Sequence, residues 1–331
     1  MFGITNIRTR IGSWLNGLPR DVGWSIGTVH DFFKDARGAR ILLYHGVCVN
    51  DPLRFNTLFV SLKTFESQLK LYKKYFNLIS LDDFYEQRFA GDRFNICLSF
   101  DDGFANNHKY VLPLIERYEV PAAFFLTAVR NDGYDILWND LLSISFRYGP
   151  RQIICNGNRY VKGKDNRYTS VATGEGLIDI LRRSGFEQKA EVMKLLGSIR
   201  NNVDEDYWLQ LTTDQIKTLS ASKWATIGSH GYYHNDLAKI PVSLALDELG
   251  NSKLYLENIT GKEIKAVAFP YGSYSKPVVA QAKQAGYTQL LATDFLDRED
   301  SHDKTMRERL TINPFISNIN QMHANITGNY N

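Results

Sequence analysis

What most constrains this chain is a short apolar run that stops at two carboxylates. Ile96, Cys97, Leu98 and Phe100 are followed at once by Asp101, Asp102 and Gly103. An apolar run bounded by turn formers reads as a buried strand, and parallel α/β folds place functional groups where such strands end. Asp-Asp-Gly alone is equally the signature of a plain turn, because Asp and Gly are default turn residues. A second stretch, Ser229 to Asp236 (SHGYYHND), changes the weighing. His230 and His234 are spaced i and i+4, which on helical backbone puts both imidazoles on one face. Neutral imidazole is the commonest protein ligand for a transition metal, and two histidines with one carboxylate form an open site that leaves room for water.

Strands and helices alternate along most of the chain. Strands are expected at Ile41–Tyr44, Leu78–Ser80, Asn95–Phe100, Ala122–Thr127, Trp224–Gly228, Ala266–Phe269, Thr288–Ala292 and Arg309–Ile312. Between them, Ser61 or Thr64 caps a helix running to about Lys74, Ser80 with Asp83 opens the next, and His108–Glu119 is another. Thr212 with Gln215 forms a capping box for a helix ending near Ala221, Pro241 opens a long helix stopped by Gly261, and a last one runs from Pro277 to Gly286. Such a succession is what a (β/α) barrel needs. The fold class expected for residues 40–315 is therefore α/β, a distorted or incomplete (β/α)7-8 barrel. The rhythm breaks over residues 130–211, read as one inserted subdomain. It contains a hairpin, Ile153–Val161, around Asn156-Gly157 and helical segments Gly176–Arg183 and Phe186–Arg200. This insertion is either a lid or cleft wall, or peripheral decoration. Six of the nineteen residues from Asn313 to Asn331 are asparagine, so residues 316–331 are expected to be a loose tail.

Composition narrows the functional classes. At 331 residues with 44% hydrophobic content the chain can bury a substantial core. A net charge of +3 from 39 basic and 36 acidic residues, mixed along the chain, leaves no footprint for nucleic acid. Cys48, Cys97 and Cys155 are odd in number and widely spaced, neither a disulfide framework nor a zinc spacing, so they read as reduced. No apolar run approaches the roughly 20 residues of a membrane span. Arg8, Arg10 and Asn16 interrupt any secretory core, which predicts a cytoplasmic protein. Within an N-terminal segment, 1–39, residues Ile4, Ile7, Ile11, Trp14, Leu15 and Leu18 recur at helical spacing with Arg8, Arg10 and Arg20 elsewhere. An amphipathic helix over residues 4–18 either packs on the barrel or lies at the inner face of an anionic membrane as a peripheral contact.

With these pieces in place, the sequence resembles the polysaccharide deacetylases, carbohydrate esterase family four. Members carry a strand ending in T/S-F-D-D, then H-S/T-x-x-H, then a proline-tyrosine loop. Here Ser99–Asp102, His230–His234 and Phe269-Pro270-Tyr271-Gly272 follow in that order. The likeness runs from about Ile41 to Ile312 and includes ILLYHGV, FESQLKLYKKYFNLISLDDF and VPAAFFLTA. It implies a seven-stranded barrel that removes acetyl groups from an acetylated saccharide with a divalent metal, zinc foremost and cobalt or nickel as alternatives. By the same resemblance Asp102, His230 and His234 are the metal ligands and Asp101 is the catalytic base. Successive residues of extended backbone point different ways, so one carboxylate can ligate while the other reaches a water. Which one ligates follows from the resemblance alone. The Pro270-Tyr271 loop resembles the one whose tyrosine N–H holds the oxyanion.

Two departures from the family pattern stand out. Many members carry an arginine two residues before that proline, where this chain has Ala268; Arg309, before the last strand, is the expected substitute. Many also end in Leu-x-His with a histidine acid, a pattern found here only at the front, in Leu43-Tyr44-His45. Some exopolysaccharide deacetylases look circularly permuted in this way, so His45 is the expected general acid, with His302 and His108 as alternatives. A barrel closes its first strand on its last, so the move along the chain need not move the side chain in space. Two other readings remain: removal of O-acetyl groups at the same site, and a catalytically impaired carbohydrate-binding protein of this fold.

Overall fold

A computed structural model describes residues 17–330; most of the amphipathic stretch 4–18 lies outside them. Seven parallel strands form the core: β1 (Gly38–Tyr44), β2 (Phe94–Phe100), β3 (Ala122–Leu126), β4 (Ala225–Ser229), β5 (Ala266–Ala268), β6 (Gln289–Ala292) and β7 (Met306–Thr311). Each pairs with the next in sequence, and β1 pairs with both β7 and β2, which closes the sheet into a barrel. The expected seven or eight units resolve to seven in a closed ring. The short segment Asn77–Leu78 pairs alongside β2 at Asn95 and Ile96 without joining the ring. Every residue of β2 is buried. A strand covered on both faces has no solvent side to alternate with, which is why it reads as a continuous apolar run.

The outer helices begin and end where the sequence signals them. Besides the short helices His30–Asp35 and Leu81–Tyr85, the second opened by Ser80 and Asp83 as expected, the main helices are α1 (Leu62–Tyr75), α2 (Leu112–Tyr118), α3 (Trp138–Tyr148), α4 (Leu177–Arg182), α5 (Phe186–Leu196), α6 (Thr213–Ala221), α7 (Val242–Thr260), α8 (Lys276–Gln284) and α9 (Asn318–Thr327). Ser61 caps α1, Thr212 and Gln215 close a capping box on α6, and left-handed Gly261 stops α7. All three cysteines are free and buried.

Residues 138–196 hold α3, a three-stranded antiparallel sheet (Gln152–Cys155, Asn158–Lys162, Tyr168–Ser170), α4 and α5. Asn156 and Gly157, both at positive φ, make the hairpin turn. This unit has its own core, built on Trp138, Leu141, Tyr160, Tyr168, Leu181 and Val192.

The tail departs from expectation. Instead of being loose, Asn318–Thr327 forms α9, with Ser317 as its cap and Ile319, Met322 and Ala324 buried. Asn320 and Asn325 face inward, and both polar ends of the Asn320 amide are satisfied. Asn320 bonds Arg20, Asp21 and Ser317, and Gln321 bonds Asn325. Asparagine-rich composition signals looseness only when the amides lack partners.

Candidate active site

Because all seven strands run parallel, their carboxyl ends share one rim. His45 follows β1, Asp101 and Asp102 follow β2, His230 follows β4, and Phe269-Pro270-Tyr271 follow β5. The Asp101 N–H donates to Tyr44 O at 3.0 Å, so His45 and Asp101 leave adjacent strands side by side.

Arg309 of β7 grips Asp101 in a two-pronged ion pair, Nη1 to Oδ1 at 2.6 Å and Nη2 to Oδ2 at 2.7 Å. Both side chains are buried. Burial alone would raise the Asp101 carboxyl, but Arg309 first and His230 next hold it below its usual range. The interior around the guanidinium mixes small residues with one large ring. Ala123, Ala266 and Ala268 line it, and a Cβ on Gly228 would stand 2.5 Å from the Phe125 ring. Arg309 lies 5.4 Å from the centre of that ring.

Next to this pair Asp102, His230 and His234 converge. Asp102 Oδ1 is 3.3 Å from His230 Nε2 and 3.2 Å from His234 Nε2, and one ligand atom from each residue lies within 4.8 Å of the others. The His230 Nδ1–H donates to Ala268 O at 2.8 Å, which leaves the Nε2 lone pair facing the centre. Asp102 Oδ1 is buried and accepts no well-directed hydrogen bond from either ring. Acceptors gathered in a dry pocket repel one another unless a cation sits among them. The donor set, two imidazoles and one carboxylate, therefore fits a transition metal with positions left over for water. Burial opposes charge at all three groups. The imidazoles nevertheless keep the Asp102 carboxyl well below its usual range, the two aspartates raise His230, and His234, with burial dominant, is lowered.

His230–Asp236 is a loop and turn, as expected from the sequence, so the spacing brings the rings together without helical backbone. Gly231 (φ 73°) and left-handed His234 (φ 55°) turn the chain so that the ring centres stand 5.1 Å apart. Asp102, His234 and Tyr271 are three of the eight non-glycine residues with positive φ among the described residues. Strained backbone of this kind concentrates at functional sites.

His45 is partly exposed, with Nδ1 buried and unpartnered; burial lowers its pKa against the pull of Asp102 and Asp101. Tyr271 sits at φ 61° in the turn Pro270–Gly272, its ring 4.6 Å from that of His234. Gly272 is required there, since at φ 64° a Cβ would meet Thr293 Oγ1 at 2.1 Å. The alternative acids lie elsewhere, His302 exposed in the turn Arg298–His302 and His108 lining a separate polar groove with Asp206.

Sequence reasoning missed the contribution of the insertion. Helix α3 went unread, yet Trp138 Nε1 donates to His234 O at 3.2 Å. Asp140, one turn into that helix, is 4% exposed, and burial with Asp102 nearby raises its carboxyl well above the usual range. Arg182 of α4 stacks 4.4 Å from the centre of the Tyr271 ring. An aspartate inside the apolar WNDLLSISF run was the available signal for Asp140.

The chain is a closed parallel (β/α)7 barrel with a two-histidine, one-aspartate cluster at its carboxyl rim that could hold a cation. The polysaccharide deacetylase profile matches residues 90–290, and the chain belongs to that family. His45 and Arg309 lie outside the matched span. No curated protein matches the sequence. Among solved structures the chain is similar to the Streptococcus pyogenes deacetylase PplD in complex with acetate, at 16% identity, TM-score 0.57, covering 87% of this chain and 97% of that one. A Bacillus cereus polysaccharide deacetylase follows at 19% identity, TM-score 0.53, covering 87% and 69%. IcaB from Ammonifex degensii matches at 15% identity, TM-score 0.52, covering 85% and 94%. These likenesses establish a shared fold.

Proposed function

We propose that this chain is a metal-dependent hydrolase that removes the N-acetyl group from an acetamido sugar of a glycan or saccharide precursor. The observation that carries this reading is the convergence of Asp102, His230 and His234 beside a carboxylate, Asp101, held by Arg309. Zinc suits the donor set best, with cobalt or nickel as substitutes. A divalent ion held there would supply a water acidified to a pKa of about 7 and a Lewis acid for the acetyl carbonyl.

The chain's own groups divide the remaining work. Asp101, kept ionised by Arg309, takes a proton from the attacking water as its oxygen bonds to the acetyl carbon. The Tyr271 N–H faces the oxyanion that forms, a donor contributing about 3 kcal/mol by comparison with other oxyanion holes. His45 passes a proton to the sugar nitrogen as the C–N bond breaks, which leaves acetate and a free amine.

The test is acetate release by stripped protein reloaded with zinc or cobalt, using matched N-acetylated and O-acetylated saccharides. Release from the amide supports the reading, while release from the ester alone reassigns the bond. Binding without release from either saccharide replaces the enzyme with a carbohydrate-binding protein.

A further inference from the structure

Three consecutive residues of the histidine loop are each tied to a different residue of the insertion. Trp138 Nε1 donates to His234 O at 3.2 Å, the Lys189 ammonium donates to Asn235 Oδ1, and Arg182 Nη2 donates to Asp236 Oδ2 at 2.8 Å. From the barrel side Glu248 of α7 accepts from the N–H groups of Tyr232 (2.7 Å) and Tyr233 (2.9 Å) and from Asn235 Nδ2 (2.7 Å). Asn235 thus relays between a lysine on α5 and a glutamate on α7. Lys189 is wholly buried and Glu248 nearly so, and the ammonium sits 4.9 Å from the Trp138 ring centre.

Burying such charges is costly, and apolar residues of the same size usually serve stability as well or better. Charges kept there call for a purpose other than stability. The loop supplies one, because His234 must hold a left-handed conformation for its Nε2 to face Asp102. The His230 ring is fixed by its own hydrogen bond to Ala268 O, whereas the His234 Nδ1 has no partner. The second imidazole can be oriented only through its backbone and neighbours.

We propose that the insertion is a clamp on the cation site. In this view Lys189 and Glu248, acting through Asn235, are positioning residues that set how tightly the site holds its ion. The inference rests on Asp102, His230 and His234 being the metal site.

It is tested on the full chain, stripped of metal and titrated with cobalt. Affinity is read by competition with a chromophoric chelator, and ligand geometry by the visible cobalt bands. Lys189→Met and Glu248→Gln should each weaken cobalt binding roughly 10- to 100-fold, the range typical of outer-shell partners, and displace the bands. Tyr168→Phe, which removes a hydrogen bond to Pro150 O within the insertion, should match wild type in both. If Lys189→Met does not fold, Asn235→Ala carries the same expectation. A change that only destabilised the fold would lower the melting temperature without moving the bands. Wild-type affinity and bands in both Lys189→Met and Glu248→Gln would overturn the clamp. A wild-type protein that binds no cobalt would instead overturn the metal reading on which the clamp depends.

Discussion

The two halves of the site are held by different means. Asp101 and Asp102 leave β2, which is registered to β1 at seven consecutive residue pairs, and Arg309 reaches Asp101 from β7, also paired with β1. His230 and His234 sit on a loop between β4 and α7, and side chains from α3, α4, α5 and α7 secure it. The carboxylate half is set by strand pairing together with one side-chain grip, that of Arg309 on Asp101. The imidazole half depends on a few side chains, three from the insertion and one from the barrel helix α7. Ligand geometry can therefore be retuned there without disturbing the fold.

The largest test of this contrast strikes the carboxylate half. Asp101→Asn removes the proton acceptor and should lower acetate release by as much as about 10⁴-fold, with metal content by elemental analysis unchanged. A parallel loss of metal would instead place Asp101 among the ligands. Arg309→Met strands a buried carboxylate, and urea unfolding should show a loss of about 3–5 kcal/mol. Adding Asp101→Asn to that variant should restore most of the loss; no restoration would mean that the pair does not hold this half together. His45→Ala should cost roughly 10²-fold in acetate release with metal still bound, and near-normal turnover would remove His45 as the acid. The smallest effect serves as a control on both halves. Thr212→Ala, a lost helix cap, should cost about 1 kcal/mol in unfolding and leave metal affinity and turnover at wild-type levels.

The same contrast explains what the sequence could disclose. Strand β2 and its terminal carboxylates are legible because a fully buried strand shows as an unbroken apolar run with a polar stop. The caps of α1 and α6 are legible because capping is local chemistry. The histidine pair shows as a spacing, but the spacing does not disclose the backbone that uses it. A left-handed conformation is uncommon for any residue with a side chain, and the contacts around His234 come from residues far along the chain. Helix α3 hid because its exposed face carries few charges, and α9 hid because its amides are paired with Arg20 and Asp21, some 300 residues away. Arg309 could be named only through the family resemblance, since its partner lies 208 positions earlier.

The interior of the barrel carries a consequence for where a second cation could go. Arg309 stacks on Phe125 in an interior that also holds Ala123, Ala266, Ala268 and Gly228. Position 268, where the family pattern described above has an arginine, is Ala268 here and belongs to the same interior cluster. An arginine introduced at 268 beside Arg309 would press two guanidinium groups toward the single Asp101 carboxylate, so each of the two places is open to a cation only while the other holds none.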